Sequence, residues 1–355
     1  MHLKPPAMNN LINRHNGLTR RSFLHIAAFA GLAGLTGLTG ITRFFPFSND
    51  PQIFTVRKSF PLMGTLLNLT VYSKDQDQAE TAVAAMFSHM QELESKLSRH
   101  QQESEVGILN RTGSLAQPSK DLQAVLALAH SVNKKTAGAF DITILPLLSL
   151  YQEQGQQLIE QPERIRRLLR SMGQQHLSVS PQQIRLGKAD AENPGITLDG
   201  IGKGYIVDQG VATLQEFGFD QVLVEAGGDL MVKGCKPQGV PWRIGIRNPR
   251  PHISHELLTV QVANMAVATS GDYFQSFSPD LRYHHIINPH TGFSSPELAS
   301  CTITAPDAAL ADALATGCMV LGRANSMDLL ADLPDCEGLF IDKHLNISKT
   351  EGFAS

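Results

Sequence analysis

The chain has 355 residues, of which 42% are hydrophobic and 18% are charged, and its formal net charge is -3. Such a chain can bury a full core in one large domain or two ordinary ones, which excludes a disordered protein. The small net charge, without long runs of one sign, predicts no nucleic-acid partner and no acidic-lipid surface. The four cysteines lie far apart and form no CxxC motif, which argues against zinc ribbons and redox dithiols.

The N-terminal 46 residues carry the pattern of an export signal. Arg20 and Arg21 lie in the stretch TRRSFLH, and an uncharged segment with a glycine at every third position follows at 26–41. This order is the twin-arginine pattern, and the segment is shorter than the roughly 20 residues that span a bilayer. We therefore predict periplasmic export through residues 1–46 and a mature domain at 47–355, with a short inner-membrane anchor or a buried helix as alternatives for the segment.

The first half of the mature part predicts a strand followed by two helices. TLLNLTVY at 65–72 alternates as a strand does. Asp77 is predicted to cap a helix in which apolar residues recur at helical spacing. These residues are Ala79, Val83, Met86, Met90, Leu93 and Leu97. Ser119 is predicted to start a second helix, which ends near Gly138.

The second half is richer in β-structure. HLSVS and QIRL predict a hairpin, and further strands are predicted in QVLVEA, DLMVKG, WRIGIR, LLTVQV and CTITA. Helices are predicted to begin near Lys203 and Asp307. Helices mixed with antiparallel hairpins, without a domain break, predict a single α+β domain with a mixed, largely antiparallel sheet and packed helices.

Several familiar sites are excluded. DGIGKGY at 199–205 has the spacing G-x-G-x-G, which is not the dinucleotide fingerprint, and Gly200 is followed by Ile201 where a Walker motif needs Lys. There is no HExxH, and the residues around Ser270 do not form a G-x-S-x-G elbow. Zinc protease and serine hydrolase functions are therefore not predicted.

Eight segments instead place polar residues in glycine-rich or apolar surroundings. They are PLMGT (61–65), LSRHQQESEVGILN (97–110), GAFDITILPLL (138–148), ITLDGIGKGYIVD (196–208), EAGGD (225–229), ATSGDY (268–273), HHIINPHTG (284–292) and LADALATG (310–317). Taken in this order, they resemble the ApbE family of FAD:protein FMN transferases, over residues 63 to 322. The resemblance implies an enzyme with FAD as substrate.

The last segment suggests a metal site. Asp312 and Thr316 are four residues apart on a predicted helix, so their oxygens lie on one face. Mg²⁺ suits such a pair, because it takes one or two protein carboxylates and completes its octahedron with water and phosphate. The alternative is that Thr316 bonds to a carbonyl of its own helix while Asp312 caps or forms an ion pair. The resemblance adds oxygen ligands at Gly200 and at Ala315, which has only its main chain to offer.

The resemblance also implies contacts to the flavin substrate. By motif these are Met63, His100, Ala139, Phe140, Asp141, Thr197, Lys203 and Ile287. Lys203 can neutralise phosphate charge as a point cation; its alternative is a surface lysine.

The chain departs from the family pattern at a few positions. Many relatives have Asp where this chain has Thr197, Gly in place of Asp199, and an aromatic residue in place of His100. Asn288 replaces a common Asp. The predicted metal pair is not affected by these departures.

The reaction that the resemblance implies is transfer of FMN from FAD to a threonine or serine hydroxyl, with release of AMP. Expected partners are FMN-binding domains of membrane or periplasmic redox proteins. His285 is the predicted base for the acceptor hydroxyl, since a neutral imidazole works near pH 7, and Asp272 is a weaker candidate. His285 can also be a core histidine bonded to a carbonyl. Two alternative functions remain open: a metal-dependent FAD pyrophosphatase and a non-catalytic flavin-binding protein.

Overall fold

An eight-stranded antiparallel sheet organises the fold. The computed structural model describes residues 53–187, 194–250 and 256–353. The strands in this part are β1 (Phe54–Leu62), β2 (Thr65–Ser73), β3 (Ser114–Ala116), β4 (Leu177–Val179), β5 (Gln183–Leu186), β6 (Val222–Ala226), β7 (Asp229–Lys233), β8 (Trp242–Arg247), β9 (Glu256–Val262), β10 (Met265–Gly271), β11 (Leu298–Ala305), β12 (Glu337–Asp342) and β13 (Ile347–Lys349). The large sheet has the order β1-β2-β6-β7-β10-β11-β12-β13, and β3-β5-β4 and β8-β9 form smaller sheets.

Seven α-helices lie in the described part of the chain, and four of them pack on one face of this sheet. The seven helices are α1 (Gln76–Leu97), α2 (Glu105–Thr112), α3 (Lys120–Lys135), α4 (Leu145–Gln154), α5 (Pro162–Ser171), α6 (Gly202–Glu216) and α7 (Ala308–Ala331). The main core packs α1, α3, α6 and α7 against the sheet, while the β8-β9 hairpin packs on the opposite face of β7, β10 and β12. The expected α+β fold is confirmed. None of the described helices is long and apolar enough to cross a membrane.

Local capping explains where the helices begin. The six apolar residues predicted along α1 are all buried, but Asp75, whose side chain accepts the Gln78 N–H, caps this helix. The prediction that Asp77 is the cap is wrong, because Asp77 lies in the first turn, where its charge favours the positive end of the helix dipole. The helices α3 and α7 begin at Ser119 and Asp307 as predicted, and the side chains of these two residues cap them.

The described residues belong to one compact unit, Pro51–Ser355. The predicted export segment at 1–46 lies outside the described residues, and so does the predicted start of the mature domain near residue 47.

Candidate active site

Helices α6 and α7 begin side by side. The Asp208 carboxylate on α6 accepts the N–H groups of Ala308 and Ala309 at 2.8 and 2.9 Å, which fixes the start of α7. Only glycine fits at Gly204, since a Cβ there would lie 2.2 Å from the Ala308 carbonyl oxygen. Asp312, one turn into α7, accepts the Gly204 N–H at 3.3 Å. The packing of the two helices thus buries Asp312 beside the glycine turn that precedes α6.

Asp312, Lys203 and Asp229 form a charge cluster at this point. Asp229 opens β7, is 2% exposed and forms an ion pair with Lys203. Burial lowers the pKa of Lys203, but Asp229 and Asp312 outweigh it and raise the pKa overall, so the ammonium stays charged. Burial, together with the charge of Asp229, raises the pKa of Asp312 to about 8. Only Asp229 pairs directly with the ammonium, and with a pKa of about 8 the Asp312 carboxyl holds a proton at neutral pH, a place that a cation can take instead.

A cleft with roughly 400 Å³ of space open to solvent lies against the glycine turn and α7. Its lining is Ala139, Phe140, Asp141, Ile142, Ile144, Thr197, Gly200, Ile286, Ile287, Pro289, Thr316 and Val320. Seven of the predicted site residues are among them: Ala139, Phe140, Asp141, Thr197, Gly200, Ile287 and Thr316. Four segments that are remote in sequence therefore share one cleft, which is mostly apolar on the Phe140 and Ile287 side.

Hydrogen bonds hold the cleft walls in place. The Asp141 carboxylate accepts the N–H and O–H of Thr143 at 2.8 and 2.7 Å, and burial raises its pKa. The Thr197 N–H donates to the Ile142 carbonyl at 2.8 Å, while its hydroxyl accepts the Asp199 N–H at 3.1 Å. The GAFD segment and the glycine turn are thus joined through the backbone.

The predicted metal pair meets the glycine turn. A Cβ on Gly200 would lie 2.8 Å from the Thr316 Oγ1, so only glycine lets the turn backbone come this close. Among the described residues, the Thr316 hydroxyl pairs with Ser270 Oγ at 3.1 Å and not with a carbonyl of its own helix. Asp307, rather than Asp312, caps α7. This geometry disfavours the structural alternative for Thr316, whereas Asp312 does have a structural contact, because it accepts the Gly204 N–H in the first turn of α6. Ala315 is fully buried.

His285 and its neighbour have different surroundings. The His285 Nδ1 lies 3.2 Å from the Gln275 carbonyl oxygen, which can only accept, so Nδ1 carries the proton and Nε2 is free to accept one. Burial lowers the pKa of His285, and the imidazole is neutral near pH 7. His284 is fully buried against the Ser295 carbonyl, and burial lowers its pKa to about 4. Both histidines contact a backbone carbonyl, as a structural histidine does. His285, however, is only half-buried.

Met63 and His100 lie near the carboxyl end of α1, and neither lines the cleft. Met63 occupies the β1-β2 turn with φ 51°, and its N–H donates to the Glu94 carboxylate at 3.1 Å. The exposed His100 follows Arg99, which forms an ion pair with Asp199 at 2.8 Å. The unusual Asp199 is thus neutralised by Arg99 at the edge of the glycine turn.

Asp272 has a structural environment. It is fully buried, and its two carboxylate oxygens accept the Arg250 guanidinium at 2.8 Å each. The Lys343 ammonium lies 2.5 Å from the Oδ2 atom. A carboxylate held by two cations, without exposed surface, is poorly suited to accept a substrate proton. The structure therefore disfavours Asp272 as the base.

Sequence reasoning gave no role to Asp229 or Ser270, although both lie in segments that carry the family resemblance. The GGD sequence before β7 is the only local signal for Asp229. Nothing local marks Ser270, because its contact with Thr316 joins β10 to α7 across 46 residues.

Comparison with known proteins agrees with this site. The chain matches the ApbE family model over residues 63–340. It belongs to the ApbE family. The resemblance carried by the eight segments is therefore confirmed.

Individual relatives of this ApbE chain cover most of its length. An FAD:protein FMN transferase of Treponema pallidum is 32% identical over 310 residues, which are 81% of this chain and 85% of the relative. The flavin transferase ApbE from Vibrio cholerae superposes with a TM-score of 0.72 and 28% identity, covering 85% of this chain and 99% of that one. The ApbE protein from Thermotoga maritima superposes with a TM-score of 0.74 and 28% identity, covering 85% of this chain and 98% of that one. Since the relatives from Treponema pallidum and Vibrio cholerae are transferases by name, the prediction of an enzyme is confirmed.

Replacing Asp272 tests whether it is structural. Asp272→Ala leaves two cations without their counter-charge, so we expect a loss of about 3–5 kcal/mol in the free energy of unfolding. Urea denaturation measures this loss, with the exposed Glu163→Ala as a control that changes little. Transfer by the folded fraction should persist. A stable variant without transfer would instead restore Asp272 as a catalytic candidate.

Proposed function

We propose that this chain transfers FMN from FAD to a threonine or serine hydroxyl of an acceptor flavoprotein and releases AMP. The proposal is carried by the meeting of Gly200 and Thr316 in the cleft that holds the predicted flavin contacts, with Asp312 one turn before Thr316 on α7. The names of the relatives support the same activity.

The cleft offers different chemistry along its length. Phe140, Ile286 and Ile287 supply apolar walls for a flavin ring, while Asp141 and Thr197 supply polar groups at its edge. The Lys203 side chain is about a third exposed, so its ammonium can reach a pyrophosphate oxygen. FAD bound in this way has its pyrophosphate next to Asp312 and Thr316.

The donor set fits Mg²⁺. Asp312 offers one carboxylate, Thr316 a hydroxyl and Gly200 a main-chain oxygen, all of them hard ligands, whereas the carbonyl of the implied ligand Ala315 lies inside α7 and is used by the helix. The described residues contain no cluster of three His, Cys, Asp or Glu side chains. The charge cluster of Asp312, Lys203 and Asp229 also favours the positive charge that Mg²⁺ brings. When bound, the ion would neutralise charge on the pyrophosphate and on the departing AMP.

His285 takes the proton in this mechanism. The acceptor hydroxyl oxygen forms a bond to the phosphorus of the FMN half, and the bond from this phosphorus to the AMP oxygen breaks. The hydroxyl proton goes to the His285 Nε2, which is unprotonated because Nδ1 donates to Gln275. The Lys203 ammonium remains beside the negatively charged phosphate oxygens throughout the transfer.

The transfer itself can be measured with a purified FMN-binding flavoprotein domain, FAD and Mg²⁺. We expect intact-mass spectrometry to show one FMN added to the acceptor, with one AMP released per FMN. Asp312→Ala should abolish both, since a hydroxyl and main-chain oxygens hold Mg²⁺ weakly. A pyrophosphatase would yield AMP and free FMN with an unmodified acceptor, and a binding protein would yield neither. Either result contradicts the proposal.

His285→Ala separates chemistry from binding. We expect transfer to fall by about 10²- to 10⁴-fold, the usual span for a lost general base, with FAD affinity unchanged. Because burial lowers the pKa of His285 below its usual 6.5, wild-type activity should fall only as the pH drops below that value. The variant should lack this acidic limb. Loss of FAD affinity, or an unaltered pH profile, would remove His285 from this role.

We further propose periplasmic export by the twin-arginine route, which brings the enzyme to exported redox acceptors; retention of the segment would anchor it at the inner membrane. Changing Arg20 and Arg21 to Lys should leave the precursor in the cytoplasm. Cell fractionation with immunoblotting measures this, and normal periplasmic accumulation of the variant would contradict it.

A further inference from the structure

Ser270 lies directly beside Thr316 of the predicted metal pair. It is the penultimate residue of β10, opposite Cys301 of β11, and is half-buried. The ladder between β10 and β7 ends at Val267, before it reaches Ser270. By strand alternation Ser270 shares the face of β10 with Ala266 and Ala268, which pack in the core with α7, and its Oγ lies 3.1 Å from the Thr316 Oγ1.

The contact between the two hydroxyls has two possible directions. Each hydroxyl has one proton, so one of them donates and the other accepts. If a cation binds the Thr316 oxygen, it occupies a lone pair and repels the hydroxyl proton. The proton then needs an acceptor that faces away from the cation, and among the described residues Ser270 is the hydrogen-bond partner of Thr316.

We propose that Ser270 is a positioning residue that accepts the Thr316 proton and so turns a Thr316 lone pair toward the metal. This inference rests on the proposed function and adds to it a residue that does not itself bind the metal. Without the Ser270 oxygen, the Thr316 hydroxyl would rotate toward a carbonyl of its own helix, as Thr136 does with Val132 at 2.8 Å.

The neighbouring residue offers a matched control. Thr269 Oγ1 lies 2.8 Å from the buried Thr302 Oγ1, which is a second hydroxyl contact of β10, made with β11 instead of α7. Thr302→Val removes this contact without touching Thr316. The Mn²⁺ affinity of Thr302→Val therefore shows how far the loss of a hydroxyl contact in β10 and β11 affects metal binding by itself.

Direct metal binding tests the inference. The full chain with FAD, and without acceptor, is titrated with Mn²⁺, and free Mn²⁺ is followed by electron paramagnetic resonance. We expect Ser270→Ala to weaken Mn²⁺ binding about tenfold, the effect of one lost hydrogen bond to a polarised group. Ser270→Thr keeps the hydroxyl and should bind nearly as the wild type does, as should Thr302→Val.

A double variant shows whether Ser270 acts through Thr316. Once Thr316→Val has removed the hydroxyl, adding Ser270→Ala should change Mn²⁺ affinity no further. Wild-type affinity in Ser270→Ala, or an equal loss in both backgrounds, would overturn the inference. Because this titration measures binding, a chain that binds Mn²⁺ as described but transfers no FMN would refute the proposed function alone.

Discussion

The charge imbalance of Asp312, Lys203 and Asp229 is the constraint on which the rest of the site depends. Two buried carboxylates with one ammonium are stable only if the fold compensates for their desolvation. Much of the surrounding structure serves this arrangement. The Asp208 carboxylate and Gly204 fix α7 against α6, and β7 begins at Asp229.

A second group of buried charges shows the contrast. Asp272 lies among Arg250 and Lys343, two cations for one carboxylate, and it connects the ends of strands far from one another in sequence. That group already has one more cation than carboxylates and has no use for a ligand cation. In the charge cluster the Asp312 carboxyl has no cation of its own, and Thr316, one turn further along α7, lines an open cleft. A buried charged group therefore does not by itself indicate a ligand site. A buried carboxyl group without its own cation, next to a cleft, does indicate one.

The sequence predicted most of the fold because its signals are local. The α1 apolar spacing, the Ser119 and Asp307 caps and the strand alternation depend on neighbouring residues only. Asp75 was missed as the α1 cap because Asp77 offers the same chemistry two residues later. The segment ATSGDY was considered only as a motif, although it spans the end of β10, and its strand pairing with Cys301 comes from long-range contacts.

The candidate site was predictable only in part for the same reason. Spacing on α7 brought Asp312 and Thr316 to one face, and family motifs supplied the cleft residues. No local pattern shows that Lys203 meets Asp229 or that Thr316 meets Ser270, since the sheet and α7 bring these residues together. Whether Asp272 or His285 can act as the base depends on the burial and the partners of each side chain. In the structure Asp272 is held by two cations, whereas His285 keeps its Nε2 free to accept a proton.

The central claim is that the charge cluster binds one divalent cation against the FAD pyrophosphate. A crystal structure of the chain with FAD and Mn²⁺ tests it most directly, because anomalous scattering locates the metal. The account predicts one peak at about 2.0–2.3 Å from an Asp312 carboxylate oxygen and the Thr316 hydroxyl, with the pyrophosphate beside it and the flavin against Phe140 and Ile287. A metal peak away from Asp312, or FAD bound with its pyrophosphate outside this cluster, would contradict it.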